Sequence, residues 1–85
     1  MTSKEMLQDA ASIIAERVAA YGDAATSMAT IAARWSLTLG HTVTPAQVVL
    51  CMIDLKLARL VRDPKHRDSI ADVIGYAALM PEVTS

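Results

Sequence analysis

The chain has 85 residues, of which 53% are hydrophobic, including 15 alanines, five methionines, no phenylalanine and one tryptophan. A domain this short buries only about 60% of the surface its unfolded chain exposes, so the composition predicts more apolar surface than the interior can hide and places part of it against a second copy. One cysteine excludes an internal disulfide, and a net charge of −1 argues against a general nucleic-acid coat.

No run reaches the roughly 18 apolar residues of a membrane span, and the opening MTSKEMLQDA lacks the apolar core of a signal peptide. A soluble, cytoplasmic protein without membrane contact is expected. Cys51 lies in an apolar run and reads as a buried structural thiol. Charge is uneven: Lys56, Arg59, Arg62, Lys65 and Arg67 are five of the eight basic residues.

Helical periodicity dominates, with no alternating strand pattern, repeat or low-complexity segment. The expected fold is all-α, a compact bundle of about four helices forming one domain over residues 1–85 and assembled as a homo-oligomer. The first helix is predicted from an N-cap at Ser3 to about Ala20, with Met6, Leu7, Ala10, Ile13, Ile14, Arg17 and Val18 on its inner side. Tyr21-Gly22 stops it, because glycine adopts the left-handed conformation that closes helices.

Asp23 is placed to cap a second helix through about Leu39, with Met28, Ile31, Ala32, Trp35 and Leu39 as its buried stripe, and Gly40 ends it. Thr44-Pro45-Ala46-Gln47 then combines an N-cap threonine, a proline at the first helical position and a glutamine that completes a capping box, with Val43 and Val48 as a staple. The third helix should run from Pro45 to about Arg62 and stop before Asp63-Pro64, since proline disfavours helical geometry in the residue before it. A fourth helix is expected from about Asp68 to Met80, ending at Pro81.

At 100° per residue, Val49, Leu50, Ile53, Leu57, Ala58, Leu60 and Val61 form the apolar arc of the third helix, with Asp54 inside it. A buried carboxylate needs a partner, and Arg17, Arg34 and His66 are the candidates. Lys56, Arg59 and Arg62 share the opposite arc with Val48, Met52 and Leu55. That face suits a phosphate and a base together, or basic side chains lying over apolar surface near a helix C-terminus. On the fourth helix Asp68, Asp72 and Tyr76 recur every four residues. The two aspartates read either as Mg²⁺ ligands or as an N-cap and a first-turn acid. Gly75 costs roughly 1 kcal/mol inside a helix and so points to close approach by a neighbouring helix or ligand. His66 reads as a solvated loop histidine or, with its ordinary pKa near 6.5, as a switch.

The segments AYGDAATSMATIAARWS (20–36), LKLARLVRDPKHRDS (55–69) and DVIGYAA (72–78) resemble a family of small uncharacterised proteins of phages and prophages. That family carries a YGD turn, a helix ending in W-S, a K-x-x-R pair, a P-K-H-x-D loop and a D-x-x-G-Y-A helix. Tyr21, Gly22, Asp23, Lys56, Arg59, Lys65, His66, Asp68, Asp72 and Tyr76 match the pattern, whereas Ala24-Ala25-Thr26 replaces the proline and acids that often follow YGD. The resemblance implies the cytoplasm of a bacterial host. The K-x-x-R and D-x-x-x-D arrangement is also distantly similar to the MazG-type all-α nucleoside triphosphate pyrophosphatases, although their E-x-x-E and E-x-x-D metal-ligand pairs are absent here.

Three readings follow. In the first, the chain is a non-enzymatic sponge that sequesters a phosphate-bearing nucleotide or nucleotide-derived immune signal, analogous to other compact phage proteins. Lys56, Arg59, Arg62, Lys65, His66, Arg67, Asp68, Asp72 and Tyr76 would bind it, with Tyr76 or Trp35 stacking on a base. In the second, it is a Mg²⁺-dependent pyrophosphohydrolase with Asp54, Asp68 and Asp72 as ligands. In the third, it is a structural or protein-inhibiting oligomer. A helix-turn-helix reading of Gly40 to Arg62 is disfavoured, because the start of the third helix offers base edges little beyond Gln47.

Overall fold

The computed structural model describes residues 1–84, and its elements are α1 (Ser3–Tyr21), α2 (Ala24–Leu39), α3 (Pro45–Arg62) and α4 (Arg67–Val83). All four expected helices are present, and no strand occurs among the described residues. No helix among them is long and apolar enough to cross a membrane.

The helix starts follow from capping chemistry. Thr44 accepts from the Gln47 backbone N–H at 3.2 Å, and the Thr44 N–H donates to Gln47 Oε1 at 2.9 Å, so the expected box closes. A second box puts the N-cap of α1 at Thr2 instead of Ser3: the Glu5 N–H donates to Thr2 Oγ1, and Glu5 Oε1 accepts from the Thr2 N–H. Asp23 caps α2, accepting from the Thr26 hydroxyl at 2.8 Å and the Thr26 N–H at 3.1 Å. These hydrogen bonds hold the Asp23 carboxyl below its ordinary value of 3.8, the hydroxyl contributing most. Gly22 and Gly40 close α1 and α2 with φ of 83° and 76°, a region that penalises any side chain.

α4 departs from expectation at both ends. It begins one residue early, because His66 takes the cap position and its Nδ1 accepts from the Ser69 N–H. It also continues through Pro81 to Val83. Met80 and Val83 pack against the core there, and that burial outweighs the hydrogen bond a proline cannot donate.

α3 and α4 form the centre. Lys56 meets Asp72, and Val48 and Val49 share a cluster with Tyr76, Leu79, Met80 and Val83, so the two helices run antiparallel. α2 closes this cluster with Met28 and Ala32, and Ser36 ties the following turn by accepting from the Val43 N–H at 2.8 Å. Val43 packs beside Val48, as a staple requires. α1 lies on the other side of α4, where Met6 and Ala10 pack with Ala71, Ile70 and Ile74. Asp9 meets Arg67 and Ile14 meets Gly75, so α1 runs parallel to α4 and both begin at one end of the bundle. The radius of gyration, 13.6 Å, exceeds the roughly 12 Å of a compact chain of this length, because α1 rests mainly on α4 and leaves a cleft beside α2.

The inner face of α3 differs from the expected arc. Val48 and Val49 are fully buried, and Met52, Ile53, Lys56 and Leu60 point the same way, whereas Leu50, Leu57 and Val61 are exposed. Hydropathy alone misaligned the helix, since a lysine faces inward to meet Asp72. Asp54 is consequently exposed and needs no buried partner, and Cys51 is an exposed thiol. Leu7, Val18 and Leu39, placed inside by periodicity, are also largely exposed.

Met28→Ala should cost roughly 2–5 kcal/mol by chemical denaturation, since it opens the larger cluster. Thr44→Ala should cost about 1 kcal/mol. A Cβ at Gly75 would meet Ile14 Cγ1 at 3.6 Å, an ordinary contact, so Gly75→Ala should stabilise α4 by up to about 1 kcal/mol. The contribution of Asp23 is complete above pH 3.8 and is lost as pH falls through the lowered folded value. Asp23→Asn keeps a capping side chain and should remove that part of the acid dependence in thermal melts.

Candidate functional site

The structure divides the nine sequence-selected residues among five environments. Lys56 and Asp72 come together first. Asp72 sits five residues into α4 with its side chain 9% exposed, where Lys56 Nζ lies 3.2 Å from Oδ2 and Arg17 Nη2 lies 2.9 Å from Oδ1. One carboxylate thus joins α1, α3 and α4. Both of its oxygens are occupied by cations, so Asp72 is neither a first-turn acid nor an open metal ligand; the cap is His66 and the first-turn acid is Asp68. Arg17, proposed for Asp54, instead pairs here; a charged residue on the inner stripe of α1 was the available signal.

Arg67 is committed to a second pair. Its Nε donates to Asp9 Oδ2 at 2.9 Å and its Nη2 lies 2.9 Å from Oδ1, a bidentate clamp between the first turns of α4 and the middle of α1. Nothing in the sequence pattern had drawn attention to Asp9. His66 is the cap of α4, with Nδ1 2.7 Å from Ser69 Oγ, so it is neither a free loop histidine nor a partner of Asp54.

Arg59, Arg62, Lys65 and Asp68 are exposed and make no ion pair among the described residues. Tyr76 is half-buried against the larger cluster and lines the α1–α2 cleft, a space of about 230 Å³ with Arg17, Tyr21 and Gly75 on its walls. Trp35 packs in the same cluster, so neither ring is a freely presented stacking platform.

A larger groove lies where α1 and α4 begin. It is open to solvent, spans about 830 Å³ and is lined by Thr2, Ser3, Met6 and Leu7 at the start of α1 and by Lys65, Arg67, Ile70 and Ile74 from the turn and α4. Its lining is mainly apolar, with Lys65 and the Asp9-paired Arg67 as its basic members. Both helices direct their N-terminal ends here; the Thr2 and His66 caps each take one first-turn N–H, and Glu5 and Asp68 place an acid in each first turn, so Lys65 and Arg67 are the groove's own cations.

No group of three His, Cys, Asp or Glu residues suited to a metal is assembled among the described residues. Asp54, Asp68 and Asp72 therefore do not form the ligand set of the hydrolase reading. At the start of α3, Val48 and Val49 are fully buried and Pro45 and Ala46 partly so, while Gln47 is exposed.

Residues 5–84 match the model of a family described as Domain of unknown function (DUF6378). The chain belongs to this family. A relative in Mycobacterium phage L5, the Gene 55 protein, is 35% identical over 69 residues, which is 80% of this chain. The chain spans only 44% of that relative's length. No solved structure matches it. The DUF6378 assignment and the phage relative support the resemblance to an uncharacterised phage protein family.

Removing one partner of a buried charge pair costs roughly 3–5 kcal/mol. Arg17 is half exposed and can turn to water, so Asp72→Ala is expected near the lower end, about 3 kcal/mol by urea denaturation. Lys56→Met combined with Asp72→Leu should recover most of that loss, because the buried charges then leave together.

Proposed function

We propose that this DUF6378 chain binds and holds, without turnover, a phosphate-bearing nucleotide or nucleotide-derived signal in the groove between the starts of α1 and α4. The observation that carries this reading is the convergence of two helix N-termini, Lys65 and Arg67 on an apolar groove of about 830 Å³. Phosphate meets Lys65 and the exposed edge of the Arg67 guanidinium, which the Asp9 clamp holds in a fixed plane. The base lies on Met6, Leu7, Ile70 and Ile74. The volume lies within the range of about 300–1,000 Å³ typical of small-molecule sites.

The ligand set is narrower than the nine residues suggested by sequence. Lys56 and Asp72 are occupied by each other, and Arg59 and Arg62 do not line the groove. The abundance of exposed apolar side chains favours assembly of more than one copy.

The test is to incubate the purified chain with linear and cyclic nucleotides, with and without Mg²⁺, remove free ligand, denature by heat and identify what is released by mass spectrometry. Intact ligand in stoichiometric amount is expected, with Kd raised about tenfold by Lys65→Ala and unchanged by Arg59→Ala. A hydrolysed product in the Mg²⁺ samples would replace sequestration by catalysis, and an empty panel would refute the nucleotide reading.

A further inference from the structure

The outer face of α3 is apolar along its C-terminal half and has no neighbour in the bundle. Leu55 is 58% exposed and Val61 85% exposed, with Ala58 exposed between them. Asp54 and Arg62 flank the same strip, and neither makes an ion pair among the described residues. Taking Ala58 as the centre at 100° per residue, Asp54 and Arg62 fall about 40° to either side and Leu55 and Val61 about 60°. The strip is therefore symmetric about its smallest residue, with an apolar side chain and an opposite charge balanced at each end.

We infer that this face is an isologous interface between two copies of the chain, crossing at Ala58. A two-fold axis through Ala58, perpendicular to α3 and in the plane of contact, makes the paired helices antiparallel. Each copy's Asp54 then stands level with the other's Arg62, four residues or about 6 Å along the helix from the axis. Leu55 stands level with Val61 of the second copy, and the alanine at the crossing lets the backbones approach. The charge pattern is self-complementary only in this orientation. In a parallel pair Asp54 would face Asp54, and like charges at an interface act against association. A partner of uniform charge would leave one of the two side chains opposed. The interface uses none of the groove residues and stands independently of the ligand.

Sedimentation equilibrium of the 85-residue chain tests it, with circular dichroism to confirm that each surface variant folds. A dimer is expected. Ala58→Arg should abolish it, and Asp54→Arg or Arg62→Asp alone should raise the dimer dissociation constant at least about tenfold. The double variant Asp54→Arg with Arg62→Asp should return it to near the wild-type value. Leu37→Glu, on an exposed position of α2, should change nothing. A monomeric wild type, a double variant no better than the singles, or dissociation by Leu37→Glu would each overturn the inference.

Discussion

The Asp72 carboxylate is the constraint around which the bundle is organised. It lies on the central helix pair, and its two oxygens engage cations from different helices: Lys56 across the α3–α4 contact and Arg17 from α1. A charge so little exposed is tolerated only because both oxygens are paired. That pairing fixes the rotation of α3, since Lys56 must face inward, and fixes the register of α1 along α4. The outward turn of Leu50, Leu57 and Val61 follows from the same rotation.

That dependence explains why the sequence was legible in some places and opaque in others. Local chemistry read well: the Thr44 box, the Asp23 cap, the glycines at 22 and 40 and the Asp63-Pro64 break act within a few residues, so their patterns were visible before any tertiary contact was known. The inner face of α3 did not read well, because hydropathy ranks Lys56 outward and its partner lies sixteen positions away. The same error placed Asp54 inside, and the apolar run around Cys51 suggested a buried thiol where the structure has an exposed one. Pro81 misled for a related reason, since local cost predicted a stop where packing of Met80 and Val83 prolonged the helix.

The candidate site shows the same division. Basic density in residues 56–67 was visible, but its division into paired and unpaired cations was not. Lys56 and Arg67 are bound to Asp72 and Asp9, so two of the five cations in this segment are neutralised on folding. What remains is Lys65 beside two helix starts, together with Arg59 and Arg62 on a different surface. The groove is invisible in one dimension because its two walls come from the first turn of the chain and from residues about sixty positions later.

The attachment of α1 carries a consequence for motion. This helix is held by the small cluster around Ala10 and Ala71 and by two ion pairs, while the larger apolar cluster belongs to α2, α3 and α4. Segments with few buried apolar contacts open at lower free energy than the whole domain, so α1 is the part of the fold that separates first, leaving a three-helix remainder. Amide protons of α1 would then exchange ahead of those in the middle of α3. The groove loses a wall whenever α1 lifts, and any molecule bound there would act as a latch, slowing the exchange of a helix whose own contacts hold it only loosely.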